Sequence, residues 1–597
     1  MTQNAMHDVT VFEYIIVGGG TAGLVIASRL AQNTKSSVLV LEAGSDISAS
    51  PEIRIPGDHG SSRYQFDQKV DIMYIPASSS KNLGNPSWDW SFFSTPKSHA
   101  DERVIFLPRG KSLGGSSNLN YMQINRSMAE EYDAFETLGI KGWSWNELLP
   151  YFKKSESLSV KPSETAPASV KVDQNVHGTS GPIQTTVPLE IAVSQERFFD
   201  ALQELNVGLN PDCCSGNNLG ACTSFCAIEP AGRTRVSSDT AYLKPCSSLS
   251  NLTVYTEAQA TKILFKTTSG DVVAEAVEYV KDNQKCKAIA SREVILCAGT
   301  YQTPQLLEQS GIGEPGILTS YGIEPLVVLP GVGTNLRIDS WDSLQDPAKL
   351  AEELEKYQTQ HTGKLTSVPF AYSFLSLDDF MAPVVKERFK KTVEDTASDD
   401  PVVAKIKQLQ LDGFDKLPLL EIMEVASFTP SDVAKPEEGK TYCSLASCLQ
   451  RPLSYGTVHI NSVNPMERPV INPNFFSNTA DMELLIEAMK YCRKIVSTAS
   501  MSKIIQKEVS PGPKVTTDED LMSFIKRNFA TVFHPIGTAA MLPREAGGVV
   551  DSELKVYGTA NVRVMDASIL PVQFSGHPIA TIYAMAEKAA DIIIASN

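Results

Sequence analysis

The chain contains no apolar run approaching the roughly 18 residues that a membrane-spanning helix needs, and no membrane span is expected. Met1 to Asp8 hold neither a basic segment nor an apolar core, so no secretory signal is visible and a cytoplasmic protein is expected. The final Ala595-Ser596-Asn597 is not a peroxisomal tripeptide. Basic residues are outnumbered: 53 Lys and Arg face 69 Asp and Glu, a net charge of −16 that argues against nucleic acid or an anionic membrane surface as partner. The ten cysteines include no C-x2-C knuckle. The local group Cys213, Cys214, Cys222 and Cys226 therefore reads as reduced thiols in a loop-rich segment or one local disulfide, and no metal is expected. Histidine is scarce, with eight in the chain, so each can be weighed separately. Internal repeats and low-complexity tracts are missing too.

What remains is an ordinary globular composition, 42% hydrophobic and 20% charged, over 597 residues, enough for two or more interleaved domains. Near its start, Tyr14-Ile15-Ile16-Val17 runs into Gly18-Gly19-Gly20-Thr21-Ala22-Gly23, and Val38-Leu39-Val40-Leu41 ends on Glu42-Ala43. This order of strand, glycine turn, helix, strand and acid is a dinucleotide-binding βαβ unit. Gly18 allows the tight turn, Gly20 lets backbone approach a pyrophosphate, and Gly23 lets the helix pack on the strand. Glu42 lies where a carboxylate can accept hydrogen bonds from ribose hydroxyls. The unit alone does not separate NAD from FAD.

Two further stretches place small residues where a cofactor could lie. Arg109-Gly110-Lys111 leads through Gly114-Gly115-Ser116-Ser117 to Asn120-Tyr121-Met122-Gln123, with bare backbone amides at the four small residues. After the strand Glu293 to Leu296, Gly299-Thr300 and Thr303-Pro304 open a helix that runs to Ser310-Gly311-Ile312-Gly313. The stretch from Ser155 to Asp173 is rich in Ser, Pro, Lys and Ala and reads as a surface loop, whereas Asp346 to Gln358 and Asp481 to Ser497 have helical periodicity.

Together these three signatures resemble the glucose–methanol–choline (GMC) oxidoreductases, FAD-dependent enzymes that include aryl-alcohol oxidases and choline dehydrogenases. The likeness covers nearly the whole chain, with smaller echoes at His177-Gly178, Arg235 to Leu243, Pro452 to Val458 and Pro469 to Asn474. It implies an α/β fold with an α+β substrate part: a Rossmann-like FAD-binding domain (10–45, 100–155, 225–335, 548–597) interleaved with a substrate domain of antiparallel sheet backed by helices (46–99, 156–224, 336–547). It selects FAD, and implies diphosphate and adenosine contacts at Thr21, Ala22, Glu42 and Ala43. Gly115 and Asn120 to Gln123 would pass the flavin ring. Ala260, at the end of one strand from Leu252, would meet the adenine, and Asp566 and Ala567 would lie beside the pyrophosphate and ribityl chain.

By the same resemblance His534, in Phe533-His534-Pro535, and His577, in Gly576-His577-Pro578, are the catalytic residues, with His577 and Pro578 also at the cofactor. Pro578 suits the first turn of a helix from Ile579 to Ile594, whose start would face the flavin N1–C2=O region. His59, His99 and His361 have no assigned role, and His177 stabilises a turn. The implied reaction is oxidation of a primary or secondary alcohol, on an aromatic or polyketide-like secondary metabolite, with His534 as base and hydride passing to flavin N5. Oxygen or another acceptor would take the electrons. The alternative is a non-redox cyclase or lyase that uses FAD as a scaffold. Tyr74, Trp88, Trp90, Phe92, Phe93, Phe533 and Phe574 are candidates for an aromatic cavity wall. Several departures from the family stand out. Arg337-Ile338-Asp339-Ser340 replaces the usual Q-D-H after Asn335-Leu336, with no intervening strand before Trp341, and Ile124 and Ser127 replace an aromatic residue and a glycine.

Overall fold

The computed structural model describes residues 10–56, 83–160, 170–189, 191–339, 371–395, 401–426, 431–435, 437 and 440–596. The elements that position the site are β1 (Thr10–Val17), α1 (Thr21–Asn33), β2 (Val38–Leu41), α2 (Val193–Glu204), β3 (Gly220–Thr223) and β4 (Leu252–Tyr255). They continue with β5 (Ala258–Thr268), β6 (Asp271–Lys281), β7 (Gln284–Leu296), α3 (Gly299–Gln309) and β8 (Ala371–Leu375). Last come β9 (Leu420–Val425), β10 (Ser444–Leu449), α4 (Thr479–Val496), β11 (Val562–Val564) and α5 (Pro578–Ala595). Tyr74, His59, His361, the stretch Asp346 to Gln358 and the passage through Trp341 lie outside the described residues.

Among the described residues the largest sheet has seven strands in the order β4-β2-β1-β7-β6-β5, with β11 also beside β7. The pairs β4/β2, β2/β1, β1/β7 and β7/β11 are parallel, whereas β5 to β7 form an antiparallel meander. Ile15, Ile16 and the whole of β2 are buried, as continuous apolar strands covered on both faces should be. Parallel pairing brings the carboxyl ends of β1, β2, β7 and β11 to one side, so Gly18, Glu42, Cys297 and Asp566 emerge together. Ligands of such sheets bind outside those strand ends. The single strand expected from Leu252 to Ala260 is instead two. Leu252 to Tyr255 pair with β2, Glu257 turns at φ 53°, and Ala260 lies on β5 against Tyr279.

A second, antiparallel sheet runs β10-β9-β8-β3 and is backed by α2 and α4. Side chains alternate across a strand. Leu420 and Ile422 thus enter the core shared with Phe198, Leu485 and Ala488, while Glu421, Met423 and the cross-strand partner Tyr372 face the opposite way. That opposite face looks toward the carboxyl ends of the first sheet. No helix among the described residues is long and apolar enough to cross a membrane.

The surface-loop reading of Ser155 onward fails at its start. Ser155 ends a helix, Glu156–Leu158 is a strand, and Glu156 is buried. Polar composition misled there because Glu156 is paired inside with buried groups from outside the stretch. Arg126 Nη2 donates to Glu156 Oε2 at 2.8 Å, His177 Nδ1 meets the same oxygen at 2.8 Å, and His177 Nε2 meets Asp212 Oδ2 at 3.1 Å. Burial works against the charge on His177, but the two carboxylates raise it to about 10. Its contribution to stability is then fully present below the ordinary value of 6.5 and is lost as pH rises through about 10. His177→Ala leaves two buried carboxylates short of a partner and should cost about 3–5 kcal/mol. The gap in melting temperature between wild type and variant should be wide near pH 6 and narrow toward pH 10. A gap that widens with pH would contradict the network.

Candidate active site

At two positions around the first turn of the βαβ unit, Gly18 and Gly23, only glycine fits. Gly18 has φ +105°, and a Cβ there would meet the carbonyl oxygen of Cys297 at 2.3 Å. A Cβ on Gly23 would lie 2.0 Å from the Gly18 carbonyl oxygen. Gly20 differs: its nearest neighbour would be Gly115 Cα at 3.8 Å, so it borders open space. Gly20 also caps α1 without any side-chain hydrogen bond, which leaves first-turn amides available to an anion. The second signature closes on the first, since Gly115, at φ +52°, would place a Cβ 2.8 Å from Gly20 Cα. Gly114 N donates to Gly19 O at 2.8 Å.

Glu42 is buried at the end of β2, where Oε2 accepts from Gly19 N at 2.8 Å and Oε1 from Gly44 N at 2.7 Å. Burial pushes its carboxyl up to about 7 against the pull of those amides. Asp566, beyond β11, accepts from Gly299 N at 2.9 Å, Thr303 Oγ1 at 2.7 Å and Ser568 N at 2.8 Å, tying the start of α3 to the late turn. Asn120 Oδ1 accepts from Met122 N at 3.0 Å and Arg235 Nη1 at 2.8 Å, which fixes Met122 at φ +60°.

These groups line one cavity of about 300 Å³ that runs from Ala260 past Gly18, Gly20, Thr21, Ala22, Glu42 and Ala43. It continues by Gly115, Asn120, Tyr121, Gln123, Asp566 and Ala567 to His534, His577 and Pro578. Gly23 and Met122 are the exceptions. Gly23 packs on the turn from behind, and Met122 points into the core. Trp90, Phe92 and Phe533 join the wall as anticipated, with Tyr372 and Met423 added from the second sheet. Phe574, which packs against Tyr132, Phe93, which packs against Phe106, and Trp88, in a small cluster with Ile47 and Leu119, are not among the residues that line the cavity. The four grouped cysteines are buried free thiols.

At the far end the two imidazole rings lie 5.0 Å apart between centroids. His534 follows Phe533, held at φ +69° by a hydrogen bond from its N to Thr531 Oγ1 and by Arg109, which donates to its carbonyl. Arg337 and Ile536 exchange backbone hydrogen bonds in an antiparallel bridge, which sets Asp339 opposite His534. The buried Asp339 Oδ2 meets His534 Nδ1 at 2.6 Å. His577 caps α5, its own N donating to Asn125 Oδ1 at 2.7 Å, and its Nε2 meets Glu421 Oε1 at 3.1 Å. Gln450 Nε2 donates to the other Glu421 oxygen at 2.5 Å. Burial disfavours the charged form of His577, yet Glu421, with Asp339 farther off, raises it above the ordinary histidine value. Each histidine thus spends one ring nitrogen on a buried carboxylate, and no hydrogen bond among the described residues engages the other. Asp339, Glu421 and Asn125 were not anticipated. The sequence cues were the departure from the family pattern at Arg337 to Ser340, for Asp339, and two acids, Glu421 and Glu424, within an apolar strand.

Two family models described as GMC oxidoreductase match residues 12–340 and 452–586. The chain is 35% identical to the dehydrogenase mpl7 of Monascus purpureus, over 98% of this chain and 96% of that one. Its fold matches an FAD-dependent oxidoreductase from Chaetomium thermophilum with a TM-score of 0.86 at 27% identity, over 98% and 99% of the two chains. It also matches a fungal aryl-alcohol oxidase with a TM-score of 0.81 at 27% identity, again over 98% and 99%. The chain belongs to the GMC oxidoreductase family, is an enzyme of its alcohol oxidase and dehydrogenase class, and uses FAD.

Proposed function

Starting from that membership, we propose that the protein oxidises a primary or secondary alcohol on an aromatic or polyketide-like secondary metabolite to the carbonyl. The observation that carries this reading is the pair of histidines on the cavity wall, each backed by a carboxylate and each with a ring nitrogen left over. His534 Nε2 takes the hydroxyl proton, a role for which a positioned imidazole is suited. His577, turned by Glu421, presents Nδ1 to the substrate oxygen and holds it while the proton leaves. Bound FAD supplies the hydride acceptor. Thr21, Ala22, Glu42, Ala43, Gly115, Asn120, Tyr121, Gln123, Ala260, Asp566 and Ala567 would hold that cofactor, with Gly18, Gly20 and Gly23 shaping the turn and Met122 packed into the core behind it. The start of α5, at His577 and Pro578, would set its partial positive charge beside the flavin. Segments 10–45, 100–155, 225–335 and 548–597 then form the FAD-binding part, and 46–99, 156–224 and 336–547 the substrate part.

Trp90, Phe92, Phe533, Tyr372 and Met423 support a flat, apolar substrate by their place on the wall. The aryl-alcohol oxidase among the similar structures supports the same substrate class, and the names dehydrogenase and oxidase favour oxidation over the non-redox reading. The test is anaerobic: benzylic, allylic and polyketide alcohols are added to the yellow protein and the flavin absorbance is followed. Bleaching by at least one is the expected result, and admitting air then separates oxygen from other acceptors. Persistent colour while a substrate is isomerised or dehydrated would defeat the proposal.

A further inference from the structure

Asp339 stands where the chain departs from its family, and it is the nearest acid to the base. Its carboxylate is buried, at 1% exposure, with Oδ2 2.6 Å from His534 Nδ1 and Oδ1 3.5 Å from Thr531 Oγ1. The backbone bridge between Arg337 and Ile536 fixes this approach, and Arg337 is itself anchored through Nη1 to Pro452 O at 2.9 Å. Nothing comparable holds His534 Nε2, which has no hydrogen-bond partner among the described residues and belongs to the ring on the cavity wall.

We propose that Asp339 is the positioning carboxylate of His534. By accepting the Nδ1 hydrogen it selects the tautomer whose Nε2 is free to accept a proton, and it holds that atom toward the substrate. When the substrate O–H bond breaks, the proton forms an N–H bond at Nε2. The imidazolium so made lies against Asp339, which stays a carboxylate throughout. A buried charge partner stabilises that cation and orients the ring before it forms, as in other His–Asp pairs. Without Asp339 the ring can rotate or place its hydrogen on Nε2, and the base is lost although the histidine remains.

This inference rests on His534 being the base, and the experiment separates the two. Asp339→Leu keeps the side-chain shape and removes the acceptor. The holoenzyme variant, mixed anaerobically with benzyl alcohol or the panel alcohol that bleaches wild-type flavin fastest, should show the limiting rate reduced about 100-fold or more. Half-saturation should stay within about threefold, because ground-state binding does not use the dyad. Adding Asp339→Leu to His534→Ala should cause no further loss, since a residue acting through His534 has nothing left to act on. In protein labelled with 15N at its eight histidines, the Nδ1–H signal that disappears in His534→Ala should also be missing from Asp339→Leu. Wild-type bleaching by Asp339→Leu with His534→Ala inactive overturns the role of Asp339 alone. Wild-type bleaching by His534→Ala overturns the base. An additive loss in the double variant overturns the positioning role in favour of a structural one. If Asp339→Leu does not retain flavin, Asp339→Ala is tested with and without acetate. Restored bleaching with acetate upholds the proposal. No response to acetate, or loss of flavin from this variant also, overturns it.

Discussion

His534→Ala, purified yellow and mixed anaerobically with an alcohol that bleaches the wild type, should keep its colour. A positioned general base contributes about 10²–10⁴-fold, so the rate of flavin reduction should fall by at least about 100-fold. Flavin content should not change, because the cradle is assembled from other parts of the chain: the turn at Gly18 to Ala22, Glu42 after β2, and Asp566 after β11. The loop carrying His534 is also held independently of its imidazole. Arg109 binds the Phe533 carbonyl, Thr300 Oγ1 donates to Pro535 O at 2.8 Å, and Gly537, at φ +94°, packs on the Asn335 backbone. His577→Ala should behave differently, since it strips a partner from the buried Glu421 and so disturbs the second sheet as well as the substrate oxygen. If His534→Ala bleaches as fast as wild type, His534 is not the base.

The parts of this site legible in the sequence are those whose physics is local. The turn Gly18 to Gly23 announces itself because a tight turn, an open helix start and a strand-ending acid must follow one another within a short span. His534 and His577 were reached by resemblance, and the fold brings them together although they sit in different turns. Their carboxylates were not legible. Asp339 faces His534 across 195 residues of chain, through a bridge that no periodicity marks. Glu421 depends on which face of β9 turns inward, and that is decided by the helices packed on the other face. Composition misled at Glu156, where a polar, proline-bearing stretch begins with a buried ion pair. It misled again at Phe574, whose ring fills the core beside Tyr132 and Phe135 rather than the cavity.

Gly18→Ala should yield colourless, destabilised protein, and the reason is strictly backbone. The added Cβ would lie 2.3 Å from Cys297 O and 2.7 Å from Cys297 C, so no side chain can move aside to relieve it. Relief would have to part β1 from β7, the central pair of the sheet, where Cys297 N donates to Val17 O at 2.7 Å. The φ of +105° adds strain of its own. Together these should cost about 2–6 kcal/mol, a large part of a domain's stability. Gly20→Ala supplies the contrast, because its Cβ would meet nothing closer than 3.8 Å and would project into the space where backbone must approach a pyrophosphate. That variant should melt close to wild type when both are stripped of FAD, yet rebind the cofactor much more weakly. The ratio of visible to ultraviolet absorbance and the melting temperature distinguish the cases. A yellow Gly18→Ala with unchanged melting would mean that the turn tolerates a side chain and that its close packing on β7 is not what shapes the cradle.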